Sequence, residues 1–416
     1  MRIILTFVVA WIVAGCQETS GDPTVVQFWA MGREGEVVRQ LIPDFERAHP
    51  DVRVEVQQLP WSAAHQKLLT AFAGDALPDV AQLGNTWLPE FAALHALEPV
   101  EPSVVDSSDY FPGIWQTNVI DQTAYGVPWY VDTRLLFYRK DLLAEAGYAD
   151  PPTTWAEWIE MLRAIKQGAG LHRYGALLPL NEYEPLLALA LQQEAPLLRD
   201  GDSRGNFRSE DFKRALRFYR EMFDNGFAPA TNANQISNVW DEFARGSFTF
   251  YITGPWSIGE FKRRLPASLQ SEWMTAPLPG PQGPGYSVAG GSSLVVFNGS
   301  PRKKAAWQFV QYLSQRVVQL RFHALTGNLP PRRSVWNDEG LRSDVHARAF
   351  REQLERVKPA PKVPEWERIA TDMQLVVEHM VQGTGLTIDE AAAEIDRRAD
   401  RILEKRRWML ARKEQP

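Results

Sequence analysis

Cysteine is almost missing from this chain. Cys16 is the only one in 416 residues, so no internal disulfide, thiolate cluster or Cys/His dyad can form within one molecule. After the first residues no apolar run approaches the length of a spanning helix, so the body reads as water-soluble. Positive charge is not in excess: 45 Lys and Arg against 51 Asp and Glu leave a net charge of −6, which excludes a nucleic-acid footprint. The 7 histidines are scattered without HExxH or any other metal-ligand spacing. Phosphate-cradling GxxxxGK[ST] and GxGxxG loops are absent as well. Gly201-Asp202-Ser203-Arg204-Gly205 spells GxSxG, but its flanks are polar where a nucleophile elbow needs a buried strand, so it reads as a surface turn. Metal, nucleotide and serine-nucleophile chemistry thus lack their usual residues, and neither cofactor, metal nor catalytic residue is expected. The 44% hydrophobic and 23% charged composition belongs to a folded chain of two or three domains.

What is present begins at the N-terminus. Arg2 precedes a continuous apolar stretch from Ile3 to Val13, and Val13-Ala14-Gly15-Cys16 closes it with small residues. This is a secretory signal, too short to span a bilayer. Its end resembles the lipobox of bacterial lipoproteins, which implies that residues 1–15 are removed and that Cys16 becomes the lipidated first residue of a tether over 16–23. The alternative for Cys16 is a spare thiol. Several acyl chains on one cysteine would anchor the body stably. The expected location is therefore a membrane-anchored, exported lipoprotein facing the periplasm or cell exterior.

Hydrophobic periodicity predicts an α/β fold. Val25 to Trp29 reads as a strand, followed by a helix with Val38, Leu41 and Phe45 on one face, which Pro43 is expected to kink. Val52, Val54 and Val56 alternate with Arg53 and Glu55 as a half-buried strand, completing a βαβ unit. Thr154 and Glu157 form a capping box, and Ser209 opens a helix that Gly226 closes. Thr249–Ile252 and Leu294–Phe297 are further strand candidates. From Arg397 the chain becomes a basic helix, read as a solvated face with contact to anionic lipid as the alternative.

Tryptophan is the abundant residue, with 15 copies. Trp155, Trp158 and Trp307 lie on amphipathic helices and read as core. Trp29, Trp61, Trp129 and Trp256 sit beside Gly or Pro in loops, where a ring can face a cleft. Pyranose sugars offer an apolar C–H face and a rim of hydroxyls, so they call for aromatic platforms flanked by planar polar groups. Glu34 and Glu36 follow Trp29, Asn85 sits two residues before Trp87, and Asp132 and Arg134 follow Trp129. For each carboxylate alone, a surface ion pair is the alternative.

The run from Gly126 to Leu143 (GVPWYVDTRLLFYRKDLL) resembles the signature of the extracellular solute-binding proteins of carbohydrate ABC importers, the maltose- and trehalose-binding group. QFWAMG, FERAHPDVRVEV, GDALPDV, WDEFARGSFTFYITGPW, AGGSSLVV, TGNLPPR and VPEWERI match in the expected order, so the resemblance covers Val25 to Lys405. It implies a two-lobed periplasmic-binding-protein fold of type II, each lobe a βα sandwich with a central sheet, and a ligand cleft at a hinge of several crossing strands. By position, 24–132 and 286–325 form lobe one, 133–285 and 326–396 lobe two, and 397–416 the basic C-terminal helix. Carried over residue by residue, Glu36 supplies a hydroxyl acceptor, Asn85 stands where several sugar binders place an aspartate, and Asp132 and Trp256 match the acidic and stacking residues. Gly290 and Gly291 match a loop that lets backbone approach the ligand, with Ser292 in place of the usual aromatic. Arg332, Trp366, Glu182 and Tyr183 complete the candidates. The function implied is non-enzymatic capture of a sugar or short oligosaccharide by a lipid-anchored monomer that delivers it to a membrane permease. Alternatives are a secreted glycoside hydrolase, or the same fold binding a peptide, polyol or glycerol phosphoester.

Overall fold

The computed structural model describes residues 22–169, 173–236, 238–383 and 385–413. The leader, Cys16 and its tether up to residue 21 lie outside them. Nine strands build two principal sheets. In chain order they are β1 (Thr24–Met31), β2 (Val52–Leu59), β3 (Val80–Gly84), β4 (Val127–Asp132), β5 (Leu135–Arg139), β6 (Tyr174–Leu177), β7 (Phe248–Thr253), β8 (Trp273–Ala276) and β9 (Gly290–Val296).

The first sheet runs β2-β1-β3-β9-β4, with β1 parallel to β2 and β3, and β9 antiparallel to both its neighbours. Its edge strand β2 turns Arg53, Glu55 and Gln57 away from its apolar residues, whereas central β3 is buried throughout, as a strand covered on both faces must be. The second sheet runs β8-β5-β7-β6 and is mostly antiparallel. Each sheet carries its own apolar core: Phe28, Phe45 and Phe309 interlock under the first, and Trp158, Phe218 and Phe250 under the second. The α/β, two-lobed reading therefore stands.

The lobes are joined where β4 ends and β5 begins, and again where β9 re-enters the first sheet. Gly290 pairs with Asp132 there, and Leu329 bridges to Val131, so three passes of the chain meet at one line. Two stretches tie the expected segments together. Phe111 and Ile114 pack in an apolar cluster with Leu135, Phe137 and Trp336, and Asp109 accepts hydrogen bonds from Arg332 and from the Ser334 amide and hydroxyl.

Local signals behave as their chemistry dictates, with one exception. Thr154 Oγ1 caps the Glu157 amide at 3.1 Å while Glu157 reaches back to the Thr154 amide, and Ser209 caps Phe212 at 3.3 Å. Pro43, expected to kink a helix, instead starts one: Gly32–Val37 passes through a 3₁₀ turn and Ile42–Ala48 begins with proline in its first turn, where no amide is needed. GDSRG is indeed a turn, closing the small hairpin of Leu198–Arg199 and Arg204–Gly205.

Candidate functional site

Between the sheets lies a cleft of about 540 Å³, within the range of small-molecule sites. Glycine sets its first wall. Gly32 turns the chain out of β1 at φ 48°, and a Cβ there would sit 3.0 Å from the Trp61 ring, so the chain bends sharply beneath an aromatic. The short helix that follows points Glu34 into the cleft, buried, with Asn328 Nδ2 donating to it at 2.7 Å.

Trp61 opens the helix Trp61–Ala73, 38% exposed, and meets Trp87 edge to face at 5.6 Å. His65 backs Trp87 at 5.0 Å and bonds Glu90 at 2.7 Å. Asn85 is 6% exposed. Its Oδ1 accepts from Ser293 Oγ at 3.0 Å, while its buried Nδ2 has no partner among the described residues.

On the hinge, β4 carries a bulge at Trp129, where Ser292 pairs with Tyr130 and Ser293 with Pro128. Tyr130 and Asp132 of β4 line the cleft, and Tyr130 accepts from Gln82 Nε2 at 3.2 Å. Burial, with the Glu34 charge, pushes the Tyr130 phenol well up, so it stays neutral. Gly290 and Gly291 pair against this strand. A Cβ on Gly291 would lie 2.2 Å from the Tyr130 carbonyl, so only glycine allows the two strands to approach.

The second lobe contributes charge. Arg134 bonds Asp132 at 2.6 Å and Glu184 at 3.0 Å, and its guanidinium lies 4.7 Å over the Trp256 ring, which is 38% exposed. Burial raises the Asp132 carboxyl despite Arg134, and the two carboxylates hold the guanidinium firmly protonated against its own burial. Tyr183 and Glu367 close this wall. Burial raises both, with the Thr86 and Tyr183 hydroxyls hydrogen-bonded to Glu367 and opposing its rise.

Glu182 sits beside this network. Burial pushes its carboxyl up to about 7; the Arg134 charge opposes the rise and the Glu184 and Asp132 charges add to it. The folded chain holds this proton where the unfolded chain has lost it, so stability falls as pH rises from the ordinary glutamate range through about 7. Glu182→Gln should remove that part of the slope, leaving the variant more stable than the parent by on the order of 2 kcal/mol near pH 8 and equal to it near pH 4. Urea unfolding at both pH values measures this, and parallel curves for the two proteins would refute it.

Of the residues singled out from the sequence, Trp61, Asn85, Asp132, Tyr183, Trp256, Gly290 and Gly291 come together around the cleft. Five do not. Glu36 is exposed on the far side of its helix, because two residues on from Glu34 is more than half a turn. Trp129 is 2% exposed and stacks on Phe322 at 4.5 Å, packed in the first core at a bulge of β4 rather than in the cleft. Trp29 is half-buried with Lys67 over its ring at 4.9 Å. Trp366 is fully buried in the second core while the next residue, Glu367, reaches the cleft. Arg332 is spent on Asp109 at 2.6 Å and the Ser314 carbonyl at 2.7 Å, beside a separate groove of about 790 Å³ on another flank. Glu34 and Arg134, noted in the sequence beside Trp29 and Asp132, do line it, and Trp87, Tyr130 and Glu184 join them. Among the described residues no cluster of His, Cys, Asp and Glu can hold a metal, and no helix is long and apolar enough to cross a membrane.

Residues 30–319 match the family model described as bacterial extracellular solute-binding protein. The structure of the sugar-binding protein MalE from Xanthomonas citri superposes with a TM-score of 0.90 at 56% identity, covering 93% of this chain and 99% of that one. The diacetylchitobiose binding protein DasA of Streptomyces coelicolor is 25% identical over 86% of this chain and 84% of its own. An uncharacterized lipoprotein of Streptomyces antibioticus is 28% identical over 89% and 87%.

Proposed function

The chain belongs to the bacterial extracellular solute-binding protein family, and from that premise we propose that its interlobe cleft captures a sugar or short oligosaccharide by hinge closure, without chemistry, for delivery to the permease of an ABC importer. One observation carries the reading: exposed tryptophan rings, Trp61 from the first lobe and Trp256 from the second, line one cleft whose walls offer carboxyl, amide and hydroxyl groups. Because each lobe supplies a platform, the ligand binds the closed state better than the open one. Residues 24–132 with 286–325 and 133–285 with 326–396 are the proposed rigid bodies, hinged at Asp132 and Gly290.

Hydrolysis would need one free carboxylic acid and one free carboxylate across the bond. Asp132 and Glu184 are instead both held by Arg134, Glu34 accepts from Asn328, and Glu367 is hydrogen-bonded by the Thr86 and Tyr183 hydroxyls, so each carboxyl of the cleft is engaged, which favours binding over catalysis. A phosphoester ligand would need unspent cations, and the one arginine in the cleft is already paired with two carboxylates, with Glu34 and Glu367 adding negative charge. We further propose that Cys16 carries the lipid anchor of a monomeric, membrane-held protein.

Calorimetric titration with mono- and disaccharides, polyols, peptides and glycerol phosphoesters tests the proposal. A sugar at about 100 times its Kd should add roughly 2.7 kcal/mol of stability. Trp256→Ala should weaken that sugar about tenfold, through the lost stack, with no turnover in either protein. A response to peptides or phosphoesters alone would overturn the ligand assignment, and release of free monosaccharide would overturn the non-catalytic one.

A further inference from the structure

The helix Glu404–Lys413 has two unlike faces. Inward, Leu403 just before it is fully buried, Leu410 is half-buried, and Arg407 donates to the carbonyls of Ser203 at 2.9 Å and Asp400 at 2.6 Å, fastening the helix to the second lobe. Outward, Lys405, Trp408, Met409 and Arg412 fall at i, i+3, i+4 and i+7, one stripe of an α-helix, and all four are exposed. Trp408 is 56% and Met409 42% exposed, the only adjacent pair of large exposed apolar residues among those described. Arg412 lies 3.9 Å over the Trp408 ring. Arg401 stands exposed one turn earlier.

The charges of this stripe are uncommitted. Arg397 and Arg398 pair with Glu394, and Arg407 lies against Asp400, whereas Arg401, Lys405 and Arg412 form no salt bridge among the described residues. Glu404 is the one acidic neighbour within the helix. In a chain of net charge −6, an exposed Trp-Met pair framed by cations is a local inversion. An amphipathic indole between cationic side chains is matched by a surface with phosphates outside and hydrocarbon just beneath. We infer that the helix Glu404–Lys413 is an interfacial contact for an anionic phospholipid bilayer, holding the second lobe against the membrane. This contact is independent of the sugar cleft and of any lipid on Cys16.

The test uses the chain from Asp22 onward, which holds both sheets and all the described cores. It is co-sedimented with phosphatidylcholine vesicles and with vesicles in which about 30% of the lipid is phosphatidylglycerol. Binding should be confined to the anionic vesicles and should collapse near 1 M salt, where charge is screened within about 3 Å. Lys405→Gln and Arg412→Gln should each cost about fivefold in partitioning, and Trp408→Ala should lower it on anionic vesicles without changing sugar affinity. Equal binding to both vesicles, no binding to either, or variants that partition like the parent would overturn the inference. So would a concentration-dependent dimer in sedimentation velocity that Trp408→Ala abolishes, since the face would then belong to a second copy.

Discussion

Arg134→Met is expected to cost about 3 to 5 kcal/mol of stability near pH 8 and to abolish measurable sugar binding, because it strands Asp132 and Glu184 beside each other in a largely dry wall. The Arg134 side chain is 7% exposed, whereas Asp132 and Glu184 are 30% and 27% exposed, so water replaces the guanidinium only in part. Methionine keeps most of the volume, which isolates charge from packing. Without its partner the Asp132 carboxyl, already raised by burial, rises further, the folded chain takes up a proton more readily than the unfolded one, and the deficit shrinks as pH falls toward 4. Binding fails for a second reason, since the guanidinium also lies over the Trp256 ring. Urea denaturation near pH 8 and pH 4, with calorimetry at each, separates the effects. A loss below about 0.5 kcal/mol near pH 8 would mean that the network is solvated and that Arg134 does not organise the wall.

Trp129→Ala should destabilise the protein about as much, by about 3 to 5 kcal/mol, yet leave sugar affinity within about twofold where the protein remains folded. Its ring stacks on Phe322 at 21° and meets Phe28 edge-on at 6.0 Å, so deletion opens a cavity under the first sheet rather than a gap in the cleft. Trp256→Ala should do the reverse, costing affinity and little stability. If Trp129→Ala instead lost affinity with its melting temperature unchanged, the ring would belong to the site.

These two tryptophans also mark how far the amino-acid sequence can be read. The α/β class and the Thr154–Glu157 capping box were legible because they rest on local rules of period and capping, whereas the hinge was expected only from the family resemblance. Membership of the cleft was legible only to within one or two residues. Glu36 was expected where Glu34 stands, Trp129 where Tyr130 stands, and Trp366 where Glu367 stands. Motif matching locates the stretch, but the face a side chain takes depends on helix phase or strand pleat, and a slip of one position in a strand inverts it. In β4 a bulge at Trp129 breaks the pleat, so that Val127, Trp129 and Tyr130 all touch the first core, and alternation read from the sequence could not have placed Tyr130 at the cleft. Arg134 was noted beside Asp132, but its role depends on Glu184 and Trp256, which are distant in sequence and brought near only by the fold. The fate of Arg332 was not legible at all, because nothing local announces Asp109.

The placement of β9 has a consequence for how the protein is made. This strand separates β3 from β4 in the first sheet, yet it is synthesised after every strand of the second. Until the ribosome has passed Val296, β1, β2 and β3 form a sheet with an open edge, and β4 has no neighbour to join. Contacts this distant in sequence slow folding. An exported chain has to be threaded through a membrane before it becomes compact, so a first lobe that cannot close on its own keeps the emerging polypeptide pliable for the passage. The same delay leaves the bare edge of β3 open to pairing with other chains, which makes the interval before β9 arrives the stage at which escort by a holding chaperone matters most.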